Sequence, residues 1–342
     1  MRTNKQYGTV YFILSALLVL LFIVSICYGA VEISISEITS AFGNVFSGNK
    51  GLTLNERILL QIRLPRACLC IFAGSSLAVG GVLMQALFRN PIVEPGLIGT
   101  SSGAAFGAAL YFVLGSTLKL NAEWGLPFAA FGGGALSTVI VFLLAERKET
   151  GRSSVIALLL TGIAINALFL SCVGFLAYIA RDPQARSITF WSMGSLAGAS
   201  WYSVIVVGSV SIFCLLCALR NSKQLNTLVM GEEEARLMGV DVRKLKLTIL
   251  FINVLMIAIC TAFVGVISFV GLVVPHLLRM WKGSDNRYLI IGGALMGAAL
   301  VSMADVIARV VLRPAELPIG IVTSLVGVPV FIYLLRTKKY YF

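Results

Sequence analysis

The sequence predicts an all-α polytopic membrane protein, a single domain of about ten transmembrane helices over residues 1–342. Three observations predict it. Of the 342 residues, 58% are hydrophobic and 12% charged, with a mean hydropathy of +0.94, whereas soluble domains carry about 25% charged residues. Apolar runs of bilayer length, about 20 residues, recur along the chain, and in lipid each must satisfy its own backbone hydrogen bonds as a helix. The short alternating segments of a membrane β-barrel do not occur.

In order, the first run covers residues 10–30. Its basic start has no small-residue cleavage site after it, so it reads as a spanning helix and not as a signal peptide. The second, 65–87, is rich in small residues (Gly74, Ser75, Ser76, Gly80, Gly81), which let helix backbones approach closely in lipid. The third to fifth cover 102–118, 126–145 and 155–180, and a short amphipathic piece follows at 187–196. The sixth, 202–219, is separated by a polar interval, 220–246, from the last four at 247–264, 267–281, 288–311 and 319–335. Only Gly265 divides the seventh from the eighth.

Lys and Arg stand at the ends of these runs, as orientation signals do. With a cytoplasmic N-terminus, 18 of the 27 basic residues fall inside, among them Arg2, Lys5, Arg89, Arg147, Lys148, Arg152, Arg279, Lys282, Arg336, Lys338 and Lys339. This bias predicts both termini on the cytoplasmic side. The net charge of +12 forms no groove-lining patch, which argues against nucleic acid. All seven cysteines lie in apolar runs; Cys214 and Cys217 form a CxxC without neighbouring His, Asp or Glu, and they read as small buried hydrophobes. His276, the only histidine, reads as structural and not as a metal ligand.

Several stretches stand apart from simple membrane spans. Arg63-Leu64-Pro65-Arg66 sets two arginines around a proline before the second run, either anchoring at the interface or meeting acidic side chains of an external partner. Residues 85–104 are polar, proline-broken and glycine-rich. Irregular backbone at membrane depth must face protein or a water-filled cavity, and the small residues after it open a helix suited to a narrow passage. In 225–242, Glu232, Glu233, Glu234 and Arg236 precede Leu237, Met238 and Gly239, the pattern of a short helix ending at glycine. Leu228, Val229, Leu237 and Met238 on a polar interval suggest a partner surface. No G-x-x-x-x-G-K-[ST] phosphate loop occurs, so energy must come from a partner or an ion gradient.

Together, RLPR at 63–66, the Q…RNP…EPGLIG block at 85–99, GEEEARLMGV at 231–240, FVGLVVPHLLR at 269–279 and AELPIGIVTSLVGVPVFIYLL at 315–335 resemble the FecCD permease family. These are type II ABC importers that carry iron-siderophores, heme and vitamin B12. The resemblance implies a permease homodimer around a central passage, two separate ABC ATPase subunits below, and a periplasmic or lipoprotein binding protein above, in a bacterial inner membrane. It implies no cofactor in the chain itself, ATP being held by the partner ATPase, and no catalytic residue. Gly231, Glu232, Glu233, Ala235, Arg236 and Gly239 resemble the coupling helix that meets the ATPase. Arg63 and Arg66 resemble the arginines that meet the binding protein, and the piece after the fifth run resembles an outer gate helix.

Within the family, residues 94–99 look closer to the heme and vitamin B12 branches than to siderophore permeases, and 162–168 and 187–201 resemble the heme branch most. Arg181 and Arg186, at the outer mouth in this topology, suit an anionic cargo such as the two propionates of heme or else anchor the interface. Phe190, Trp191 and Met193 belong to the same gate segment; core packing is the plainer reading of Met193. Ferric siderophores and cobalamin remain alternatives. An intramembrane enzyme would need buried catalytic partners, yet Asp305 is the acid clearly within a late run, and it is placed to pair with Arg309 one turn on. An ion-driven transporter would need no ATPase, and the coupling-like stretch speaks against it.

Overall fold

Fourteen α-helices and no strand make up the described residues of the computed structural model, which are 5–29, 34–46, 53–115, 122–145 and 155–337. The basic residues Arg2, Arg147, Lys148, Arg152, Lys338 and Lys339 lie outside them. Seven helices are long and apolar enough to cross a membrane: α1 (Lys5–Cys27), α4 (Leu64–Phe88, continuous with α3, Leu54–Ile58, before it), α6 (Ala122–Ala145), α7 (Val155–Ile179), α9 (Trp201–Met230), α11 (Val242–Val264) and α13 (Asn286–Val310). α5 (Thr100–Leu114), α12 (Val270–Lys282) and α14 (Ile319–Thr337) are shorter and occupy the places of the other three expected spans. α2 (Ile35–Phe46), α8 (Asp182–Ser192) and α10 (Glu232–Leu237) complete the set.

α4 runs through the centre, packed on α13, α9, α11 and α12, and its Leu69, Cys70, Ala73, Val79, Leu83 and Met84 are almost wholly buried. Small residues make this possible. At the α4–α13 crossing Gly74 and Gly297 lie backbone to backbone, and a Cβ on either would run into the other's carbonyl oxygen. Neither backbone can yield without moving a spanning helix. Gly297→Val is therefore expected to exceed the usual overpacking cost of about 1–3 kcal/mol; a melting temperature within 2 °C or so of the parent would contradict this crossing.

The helix ends sort into two sets. Tyr7 of α1 stacks on Tyr288 of α13 with ring centroids 4.6 Å apart. Asn226, near the end of α9, accepts hydrogen bonds from the backbone N and Nδ2 of Asn286 at 2.8 and 2.9 Å. The start of α1, the end of α9, α10 and the start of α13 thus gather at one end, called here the α10 end. At the opposite end Arg66, Asp305 and Arg309 cluster, and Arg309 bonds to Ser25 in the last turn of α1.

Three boundaries differ from the sequence expectation. The sixth span does not stop at Leu219, because α9 stays helical to Met230; Asn, Ser, Lys and Gln continue a helix beyond lipid at little cost. The expected eighth span is a 13-residue helix, about 20 Å long by helical rise and too short to cross. It begins after the non-helical residues 265–269, so the break is wider than Gly265 alone. The second span begins earlier than residue 65, and Arg63 and Arg66 lie within continuous helix. A five-residue π-helical turn, Leu59–Arg63, carries α3 directly into α4, with Pro65 in the first turn, where a missing N–H costs nothing.

Candidate functional site

At the α10 end, α10 projects between α9 and α11. Gly231 precedes it with φ +151°, and a Cβ there would collide with the Glu234 carboxylate. Gly239 closes the segment with φ +81°, the left-handed conformation that glycine tolerates. Ala235 is fully buried and plugs α10 onto the bundle. Glu232 accepts from Lys246 Nζ of α11 at 2.7 Å and lies 3.9 Å from Arg236. Glu233, Glu234, Arg236 and Gly239 are exposed. Leu237 is 89% and Met238 57% exposed, an apolar tip with nothing of the chain over it. Leu228, by contrast, is buried and belongs to the core, so the expected partner surface narrows to the tip of α10.

Deeper in the bundle, the segment after α4 turns back among the helices. Phe269 N donates to Glu94 Oε1 at 3.1 Å, Asn253 Nδ2 to Pro95 O at 3.2 Å and Asn166 Nδ2 to Leu97 O at 3.0 Å. These bonds satisfy irregular backbone that lipid could not solvate. The loop borders a cavity of about 230 Å³ together with Ser101 and Ser102 of α5, Asn166 of α7, Ser192 of α8 and Ser268. Ser102 Oγ bonds to Asn166 Oδ1. A carboxylate, an amide and four hydroxyls thus face one space inside an apolar bundle, and intramembrane polar groups facing a cavity mark a functional pathway. The expectation that this segment meets protein or a cavity is met. Asn166 went unmarked as a site residue, although an amide within the apolar run 155–180 was a legible signal.

α8 closes this cavity through Ser192. Its Ile188 is buried between α5 and α7, while Arg181, Arg186, Phe190 and Met193 are exposed. Arg186, Phe190 and Met193 share one face by helical spacing. Trp191 turns the other way, against the alanines of α5, α6 and α11. After α8, the start of α14 is held directly: Ile319 N and Gly320 N donate to the carbonyls of Gly194 and Met193 at 3.1 and 2.9 Å.

The opposite end carries a buried ionic cluster. Arg66 gives Nε and Nη2 to Asp305 Oδ1, both at 2.9 Å, and Nη1 to the Glu316 carboxylate at 2.9 and 3.1 Å. Arg309 Nε stands 3.0 Å from Asp305 Oδ2, an ion pair without hydrogen-bond alignment, and its Nη2 donates to Ser25 Oγ at 2.8 Å. The Asp305–Arg309 pairing expected from sequence is present. Arg63 donates to the Ile26 and Cys27 carbonyls of α1. Arg63 and Arg66 are 5% and 8% exposed, so the exposed cationic pair read from the sequence is instead two buried guanidiniums that tie α4 to α1, α13 and the loop before α14. His276 is buried on α12, and the described residues contain no His, Cys, Asp and Glu group arranged to hold a metal ion.

A polar-lined cavity in a bundle of membrane-length helices, with a protruding apolar-tipped helix at one end, defines a membrane transport subunit. The chain belongs to the FecCD transport family, whose profile matches residues 17–337. It is 44% identical over 283 residues to the hemin transport system permease protein HmuU of Yersinia pestis, covering 82% of this chain and 84% of that protein. It is 35% identical over 324 residues to the vitamin B12 import system permease protein BtuC of Escherichia coli O139:H28, covering 94% and 93%. A solved structure described as an inward-facing conformation of a putative metal-chelate type ABC transporter superposes with a TM-score of 0.85 at 31% identity, covering 97% of this chain and all of that one.

Proposed function

We propose that this chain is the permease subunit of a heme importer of the bacterial inner membrane, working as a homodimer on two separate ABC ATPase subunits. The cargo reading rests on the 44% identity with a hemin permease, against 35% for a vitamin B12 permease. The coupling reading rests on α10, whose apolar tip projects from the bundle while Ala235 and the Glu232–Lys246 pair fix its base. ATP is bound and hydrolysed by the partner, since the chain has no phosphate loop of its own. The α10 end then faces the cytoplasm, and both termini lie on that side. α7 and α14 keep broad apolar faces, among them Leu160, Phe175 and Leu325, which support pairing of two copies. A periplasmic or lipoprotein binding protein delivers cargo at the opposite end. Its acidic side chains approach Arg66 beside Glu316, whose side chain is 42% exposed and forms the accessible edge of the cluster.

Cargo-stimulated ATP hydrolysis in proteoliposomes tests this reading with heme, cobalamin and ferric siderophores in parallel. Stimulation by heme alone is the expected result. Stimulation by cobalamin or a siderophore instead moves the chain to the second reading, favoured by its near-complete coverage of the vitamin B12 permease. Transport without any ATPase would make it an ion-driven carrier. Arg181 and Arg186 are exposed beside α8; replacing both by Ala is expected to lower heme uptake severalfold with assembly intact, and unchanged uptake would remove them from the cargo path.

A further inference from the structure

A second cavity shares no lining residue with the one bordered by Glu94 and Asn166. α1, α12, α13 and α14 wall an apolar slot of about 280 Å³. It exists because Ala299 and Ala304 of α13 and Gly327 of α14 present little side chain to it. Its one side-chain hydroxyl, on Thr323, is already bonded to Gly320 O at 3.2 Å. Apart from the indole N–H of Trp281 at one end, the walls therefore offer no side-chain partner to water, an ion or a charged cargo. The slot opens sideways: Leu17, Met303 and Val326 on its walls are 42%, 43% and 50% exposed, on spanning helices whose outer surface meets hydrocarbon.

Shape decides the occupant. The α13 wall runs from Met296 to Ile307, about 16 Å by helical rise and about half the hydrocarbon core of a bilayer. A volume of about 280 Å³ open to the centre of a water-sized sphere has, over that length, a mean radius of about 2.4 Å, and adding the sphere's own radius of about 1.4 Å gives a section of about 45 Å². A helix with its side chains is about 10–12 Å across and has roughly twice that section. A helix of a second copy does not enter the slot, whereas a single extended hydrocarbon chain does. One end of the slot is also marked. Trp281 lines it, Lys282 follows, and Tyr333 and Arg336 stand beyond Val330 on α14. Aromatic and basic side chains together belong at the level of lipid headgroups.

We propose that the slot holds one acyl chain of a membrane glycerophospholipid, with its phosphate at the Trp281–Lys282 end. The chain supplies the dispersion contacts that the small residues of α13 and α14 leave unmade, and it joins α1 to α14 as a non-protein part of the bundle.

Native mass spectrometry of the full-length chain tests this, after detergent washing has removed loosely held lipid and palmitoyl-oleoyl phosphatidylglycerol has been added back. The parent is expected to retain one phospholipid per chain. Ala299→Phe with Ala304→Phe fills the slot and should cut retention at least fivefold; Val326→Trp, which plugs the mouth from its exposed side, should do the same if the double variant folds poorly. Leu143→Phe, on the exposed face of α6, should change nothing. Lys282→Ala should weaken retention of phosphatidylglycerol but not of an uncharged diacylglycerol. A lipid-free parent, or plugged variants that keep the full complement, would overturn the proposal. So would a disulfide between Met303→Cys residues of two copies, since that would make the slot a protein interface.

Discussion

Asp305→Ala is expected to cost about 3–5 kcal/mol and to leave little folded protein, because it strands two buried guanidiniums without their shared carboxylate. Asp305 is 1% exposed and sits between Arg66 and Arg309, themselves 8% and 7% exposed. Removing it converts a compensated cluster into like charges in a poorly solvated site. Glu316→Gln should do far less, since that carboxylate is 42% exposed and half-exposed pairs contribute about 0–1 kcal/mol. Replacing Arg66, Asp305 and Arg309 together by Met, Leu and Met should recover most of the loss, as apolar replacements of whole buried ionic groups do. Thermal unfolding in detergent, read by fluorescence size-exclusion, ranks the variants. If Asp305→Ala melts with the parent, the cluster is not what joins α4 to α13 at this end. The same ranking bears on docking: a binding protein that reaches Arg66 must compete with Glu316, so Glu316→Gln should tighten that complex while barely changing the melt.

Much of this architecture was readable before any coordinates, and the parts that were not have physical reasons. Composition and run length gave the all-helical membrane class. Glycines flanking an acidic hexamer gave α10, because a left-handed residue on each side of a short helix is a local property. Asp305 and Arg309 are one helical turn apart, so their pairing was local too. Arg66 and Asp305 are far apart in sequence, and no local pattern carries the information that α4 meets α13 there. The sequence shows Arg63 and Arg66 flanking Pro65, but not the unbroken run of α3, the π-helical turn and α4 that buries both guanidiniums. α12 was misjudged because hydropathy reports burial, not length: its Val270, Val274 and Leu278 are buried against protein, so the apolar run needed no full span. The sequence places 85–104 against protein or a cavity but not which groups share the space, since Glu94, Ser102 and Asn166 come from three separate elements and converge only in the fold.

The second large effect is expected at the tip of α10. Leu237→Asp with Met238→Asp should abolish co-purification with the ATPase and with it cargo-stimulated hydrolysis, a loss of at least tenfold, while the permease melts as before. The asymmetry follows from exposure. These side chains are 89% and 57% exposed, with no neighbour in the chain to lose, so surface substitution there stays within about 0.5 kcal/mol of neutral for folding. In the proposed complex with the ATPase they form the apolar centre of the contact, ringed by Glu233, Glu234 and Arg236, and a buried carboxylate at such a centre costs several kcal/mol. Glu233→Ala with Arg236→Ala should weaken the complex less, since rim charges act more on encounter than on dissociation. Lys246→Ala offers a contrasting case. It leaves the tip untouched but frees Glu232 from α11, so the ATPase should still bind while a push on α10 no longer reaches α11 firmly. Binding with reduced cargo stimulation is the expected signature. If Lys246→Ala keeps full stimulation, force passes from α10 to the bundle through Ala235 and α9 alone.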